Sequence, residues 1–232
     1  MIETLDKESL DTMNSNFSHD VVEVGPGILV FKNLIPKDLN IINRISNILG
    51  TEDNPKHFNW MPAFVGYRQR MPEYRDCVDF RFKKTDIEHD QHEDSKKLQQ
   101  IWQEVYDRQF PAVQQYSMMY NVAELRYWEA FNFIKYEIGQ HFMEHTDHGF
   151  SYNCVTSLVT YLNDDYEGGE LYFRMQNLTL KPEAGDVVIF PSNYMYPHQA
   201  MPVTKGTKHA IVTMLDYSDK YHKPEMYQET GS

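Results

Sequence analysis

Cysteine is scarce in this chain: two residues, Cys77 and Cys154, in 232. They sit in no metal-type spacing, and a single pair cannot build a disulfide framework. A reducing compartment is therefore the simpler reading. Positive charge is also short. Lys and Arg number 22 against 34 Asp and Glu, a net charge of 22 − 34 = −12. Such a field repels phosphate backbones and speaks against nucleic acid as a partner. A basic, neutral or peptide-like ligand suits it better. No stretch approaches the 18 or so consecutive apolar residues of a membrane span, so no membrane helix is expected. The polar residues 1–16 lack the apolar core of a signal peptide, and the expected location is the cytoplasm. Internal repeats and low-complexity tracts are absent.

What is present is enough for a substantial core, at 41% hydrophobic and 14% aromatic residues. Residues 1–23 are polar and read as a loosely ordered N-terminus. Residues 24–122 read as a supporting region. It opens with an apolar strand at 28–31 and a helix from Pro36 to Gly50 carrying Leu39, Ile42, Ile45 and Ile48. Residues 51–76 form a long aromatic loop with Trp60, Phe64, Tyr67 and Tyr74. It is either a cover over a ligand, using Arg68 and Arg70, or a loop folded onto the core. A strand at 78–82 follows, then a helix carrying Leu98, Ile101, Trp102, Val105 and Tyr106. A second short helix is expected from Pro111 toward Tyr120. From residue 123 to 218 the texture turns to strands, at 156–162, 170–173, 187–190 and 210–215. Residues 219–232 read as a tail. Helices gathered ahead of closely spaced strands predict a mainly β fold with N-terminal helices (α+β), its core a jelly roll.

Within that core, His145-Thr146-Asp147 is followed 51 residues after Asp147 by His198, and ten later by Lys208. Two imidazoles and one carboxylate can hold one face of an Fe(II) ion and leave the other positions open. Residues two apart in a strand share a side, so His145 and Asp147 can converge while Thr146 turns away. His141 and His145 have the i, i+4 spacing of a helical zinc pair. If extended, they stand roughly 13 Å apart and cannot share an ion. His148 is either a neighbour of the site or a turn histidine. Lys208 opens an apolar strand, where a buried ammonium needs an anion. Tyr136 and Ser157 could add hydroxyl donors to the same carboxylate ligand. The plainer reading makes Lys208 an exposed strand-end lysine and Tyr136 a core aromatic.

The segments Tyr136-Glu137-Ile138-Gly139-Gln140, His145-x-Asp147 and Tyr161-Leu162-Asn163 occur in order. Glu167-Gly168-Gly169-Glu170-Leu171, Pro182-x-x-Gly185-Asp186, Phe190, His198, Pro202-Val203, Gly206 and Lys208 follow. Together, over residues 123–218, they resemble the prolyl 4-hydroxylase branch of the 2-oxoglutarate/Fe(II) dioxygenases. The resemblance implies a double-stranded β-helix with His145, Asp147 and His198 as iron ligands. It implies that Lys208 pairs with the distal carboxylate of 2-oxoglutarate, assisted by Tyr136 and Ser157. Fe(II), 2-oxoglutarate and O2 would be the reactants' company, with ascorbate as an accessory reductant. A proline-containing peptide or protein would be hydroxylated. With Asp147 present, hydroxylation rather than halogenation is the implied outcome. One departure is visible: eight residues, 148–155, separate Asp147 from the next strand, and no arginine stands between Arg126 and Arg174. Alternative readings are an oxygenase of a free amino acid or other small molecule, and a catalytically silent jelly-roll binding module.

Overall fold

The computed structural model describes residues 19–66, 69–149 and 152–222. The expectations for residues 1–18, Tyr67, Arg68 and the end of the tail lie outside these. Strands β1 (Val21–Gly25) and β2 (Ile28–Phe31) form a hairpin, followed by helix α1 (Ile41–Ile48). The short strands β3 (Leu49–Gly50), β4 (Phe58–Asn59), β5 (Met61–Pro62) and β6 (Arg75–Asp76) lead into β7 (Val78–Phe82). Helices α2 (Lys84–Ile87) and α3 (Glu93–Met119) come next. Then follow β8 (Tyr127–Trp128), β9 (Phe131–Tyr136), β10 (His141–His145), β11 (Thr156–Tyr161) and β12 (Glu167–Gly168). The chain continues with β13 (Leu171–Phe173), β14 (Leu178–Leu180), β15 (Val187–Pro191), β16 (His198–Ala200), β17 (Val203–Lys205) and β18 (Lys208–Asp216).

Most of the strands build two facing sheets, while β3 with β4 and β12 with β17 form two small pairs beside them. The larger runs β1-β2-β15-β11-β18-β9-β7-β5, and the smaller runs β14-β13-β16-β10-β6. Alternation along each strand decides what goes where. In β2, Leu29 and Phe31 pack toward the helices, while Ile28 and Val30 face the smaller sheet. Leu158 and Val159 divide in the same way, as do Ile189 and Val188, and Ile211 and Ala210. The larger sheet is thus buried on both faces, which is why its central strands read as unbroken apolar runs. Helix α3 lies on its outer face through Leu98, Ile101, Trp102, Val105, Val113 and Tyr116. A buried hydrogen bond from Gln109 Nε2 to Thr160 Oγ1 (2.7 Å) ties it to β11. No described helix is long and apolar enough to cross a membrane.

Several local expectations are corrected. The strand β1 starts at Val21, ahead of the boundary drawn at residue 23. The helix expected from Pro36 is a 3-10 turn, Lys37–Leu39, and then α1. Asn40 separates them at φ 51°, a left-handed conformation that asparagine tolerates. Leu49 and Gly50 are extended, pairing with Phe58 and Asn59. The two helices expected around Pro111 are one, with Pro111 inside it. A continuous buried face on both sides of Pro111 outweighs the missing N–H and the ring clash, together about 3 kcal/mol. The aromatic loop divides. Phe58 and Trp60 pack on the core, while Phe64 stays exposed beside the strand that carries Arg75.

Because Pro111 lacks the N–H that would close a helical turn, Pro111→Ala should stabilise the fold by about 1–2 kcal/mol. Urea denaturation monitored by circular dichroism measures this. A loss of stability would mean that the ring's packing matters more than the missing bond.

Candidate metal centre and its cavity

His145 closes β10 and His198 opens β16, and the two strands pair with these residues directly opposite. The chain bends after His145, so Asp147 lies beyond the strand and turns back onto the pair. His145 Nε2 is 3.5 Å from Asp147 Oδ1, and His198 Nε2 is 3.7 Å from Asp147 Oδ2. One donor atom from each residue falls within 4.8 Å of the others. Bonds of about 2.1 Å to a shared ion put ligand atoms about 3–4 Å apart. The cluster therefore fits a divalent metal of the N/O-preferring kind.

Each imidazole is oriented by its other nitrogen. His145 Nδ1 meets the Met143 carbonyl at 2.8 Å, and His198 Nδ1 meets the Tyr196 carbonyl at 3.1 Å. Donation from Nδ1 leaves the Nε2 lone pair pointing into the cluster. Phe142 stacks on the His145 ring at 3.5 Å between centroids, and the Arg75 guanidinium sits 5.0 Å over Phe142. Burial lowers His198 to about 4, against the pull of Asp147, so this imidazole is neutral at pH 7. Burial alone would raise Asp147. The neighbouring His198 and His145 and the Ser157 hydroxyl outweigh it and hold the carboxyl below its ordinary range. Two nitrogen lone pairs and an ionised carboxylate result.

The cluster opens into a cavity of about 90 Å³ between the sheets, lined also by Arg75, Tyr136, Val159, Tyr161 and Lys208. Lys208 starts β18 directly opposite Tyr136 on β9. It is 3% exposed, so the surface reading fails. Its Nζ donates to the Gly169 carbonyl at 2.7 Å. The rings of Tyr161, Tyr136 and Tyr166 surround the ammonium at 5.0, 5.6 and 6.0 Å. Gly169 has φ +66°, and a β-carbon there would meet Lys208 Cδ at 3.2 Å. The Tyr161 hydroxyl is buried and has no hydrogen-bond partner among the described residues. A buried ammonium met by a carbonyl, beside an unused hydroxyl donor, is a cradle for a carboxylate.

The structure therefore brings His145, Asp147, His198, Lys208 and Tyr136 to one cavity. Ser157 behaves otherwise than expected. Its hydroxyl is 2.5 Å from Asp147 Oδ2 and 2.7 Å from Ser192 Oγ, so it serves the metal cluster and not the Lys208 end. Burial, with the Cys77 thiol beside it, pushes the Tyr136 hydroxyl well above its ordinary value, so it stays protonated. Tyr161, four residues along β11 and on the same face as Ser157, supplies the free donor. Its motif was visible in the sequence, but nothing there assigned its hydroxyl. Arg75 was missed as well, since a two-residue strand after an irregular loop leaves no periodic signal. His141 lies on the extended β10 and joins no metal-type cluster among the described residues, and His148 Nδ1 meets the Cys154 carbonyl and N–H at 2.8 and 3.2 Å.

Burial lowers Lys208 from 10.5 to about 8. A lysine whose folded pKa lies below its unfolded one destabilises the fold fully below the folded value. The penalty is relieved as pH rises from about 8 to 10.5, and the whole shift corresponds to about 3 kcal/mol. Lys208→Met should raise the stability of ligand-free protein at pH 7 by up to that amount. The difference from wild type should shrink toward pH 10. A pH series of urea midpoints reads this; a pH-independent difference would contradict the assignment.

Residues 131–215 match the sequence profile of the 2OG-Fe(II) oxygenase superfamily. Human prolyl 3-hydroxylase 2 is 32% identical over 77 residues, covering 31% of this chain and 11% of that protein. The probable prolyl 4-hydroxylase 9 of Arabidopsis thaliana is 32% identical over 111 residues, covering 34% of this chain and 38% of that protein. The chain thus spans well under half the length of these curated relatives. A solved prolyl hydroxylase from Trichoplax adhaerens, in complex with a hypoxia inducible factor oxygen degradation domain peptide fragment, has the same fold. It superposes with a TM-score of 0.61 at 12% identity, over 96% of this chain and 90% of that one. Residues 131–215 are thus similar to the 2OG-Fe(II) oxygenase superfamily, and the jelly-roll fold and the His-Asp-His cluster agree with that similarity.

Proposed function

We propose that this protein is an Fe(II)- and 2-oxoglutarate-dependent dioxygenase that hydroxylates a C–H bond of a peptidyl proline. One observation carries the reading. A single cavity has a metal-type cluster at one end and a buried cation with a free hydroxyl donor at the other. That spacing of functions suits a short keto acid with a second carboxylate. His145, Asp147 and His198 would hold the iron. Lys208 would pair with the distal carboxylate, with Tyr161 donating to it and Tyr136 walling it.

Bound iron would supply the oxygen chemistry, in which substrate, 2-oxoglutarate and O2 give hydroxylated substrate, succinate and CO2. The chain's own contribution is placement. Lys208 and Tyr161 anchor one end of the co-substrate. Val159, Leu171, Ala210 and Val212 line the cavity with apolar surface and limit water. Arg75 reaches the same cavity, held by the Phe64 carbonyl at 2.8 Å and Asp79 at 2.9 Å, and is the cation placed to meet a substrate carbonyl. The peptide assignment is supported by the similarity to prolyl 3- and 4-hydroxylases and by the net charge of −12, which suits a neutral or basic segment.

The test is anaerobic addition of Fe(II) and 2-oxoglutarate to wild type and Asp147→Ala, watching the visible charge-transfer band of the chelate. A band in wild type, absent in the variant, is expected. Lys208→Met should weaken 2-oxoglutarate binding at least roughly tenfold, the scale of one charge-assisted contact. Proline peptides should then gain one oxygen atom as succinate forms. Folded wild-type protein without a band would favour the silent binding module, and turnover on a free amino acid that peptides do not inhibit would move the substrate to small molecules.

A further inference from the structure

Ser157 and Ser192 are both fully buried, next to a carboxylate that already faces two histidines. Their hydrogens can be assigned by counting. Ionised Asp147 accepts only, so the single Ser157 proton goes to Asp147 Oδ2 at 2.5 Å. Ser157 then has only lone pairs left for Ser192, so at 2.7 Å Ser192 must be the donor. The result is a one-way row of donors, Ser192 to Ser157, ending on one oxygen of Asp147. Backbone bonds fix its members: Ser192 N to the Val155 carbonyl at 3.0 Å, and His148 N to the Ser192 carbonyl at 3.0 Å.

We propose that Ser157 is a positioning residue that occupies Asp147 Oδ2 and so presents only Oδ1 to the metal. This rests on the Fe(II)/2-oxoglutarate reading of the cluster. An ion held by two imidazoles and one carboxylate oxygen keeps three further positions, two for the keto acid and one for O2. A carboxylate free to bind through both oxygens would consume one of them. Ser157 therefore protects co-substrate access and contributes little to holding the ion itself. The two affinities should separate when it is changed.

The experiment measures Co(II) affinity from its visible spectrum, and then 2-oxoglutarate affinity of the metal-loaded protein under argon. Wild type, Ser157→Ala and the near-isosteric Ser157→Cys, whose thiol is a weak donor, are compared. Metal affinity is expected to stay within about threefold or to tighten. The 2-oxoglutarate affinity should fall roughly tenfold in Ser157→Ala, the scale of a hydrogen bond to a charged group, and by less in Ser157→Cys. Unchanged 2-oxoglutarate affinity in either folded variant overturns the proposal. So does a parallel loss of both affinities, which marks a merely structural hydroxyl. Wild-type protein that binds metal but no 2-oxoglutarate would overturn the functional reading, and this inference with it.

Discussion

Strand register is the constraint on which the rest of this structure depends. His145 faces His198 across β10 and β16, and Lys208 faces Tyr136 across β18 and β9. Neither pair is close in sequence, and both belong to strands whose inner and outer faces are fixed by apolar alternation. A slip of one residue in β18 would send Lys208 into the helix-covered face and Ile211 into the cavity. The hydrophobic division of the strands and the chemistry of the cavity are therefore the same fact, seen from two sides. Helix α3 contributes by covering the outer face of the larger sheet. That burial makes the register costly to change.

Much of this was legible in the sequence. Apolar, β-branched runs at 28–31, 156–162, 187–190 and 210–215 marked the central strands, because a sheet buried on both sides leaves an unmistakable run. The candidate cluster was legible because His145-x-Asp147, His198 and Lys208 stand in a constellation that few other arrangements use. What the sequence hid was decided by tertiary contact. Pro111 reads as a helix boundary, yet packing on both sides carries α3 through it. Asn40 reads as an ordinary helical residue, yet its left-handed conformation splits the first helix. Ser157 and Tyr161 share one face of one strand, and only the cross-strand partners tell which hydroxyl faces which end of the cavity. Arg75 arrives from a loop without periodicity, and its place over Phe142 depends on pairing between β6 and β10.

Polar groups between the sheets are arranged by polarity as well as by place. At the cluster end, donors converge on a carboxylate that must stay ionised. At the far end, a cation rests on a carbonyl within a ring of tyrosines. Apolar walls separate the two and keep each from neutralising the other. Lys208 and Asp147 would otherwise form an internal ion pair, and the cavity between them would have no unmet charge to offer.

The glycine beneath Lys208 gives this separation a length. Gly169 has no β-carbon, so the lysine stem can lie back against the backbone. The ammonium is thereby set at the cavity's far end, where the Gly169 carbonyl catches it. A β-carbon at that position would stand 3.2 Å from Lys208 Cδ, and the stem could not keep its place. Gly169 thus works as the end stop of a molecular ruler, and the interval it sets decides how many carbons a two-headed acid must have to touch both ends at once.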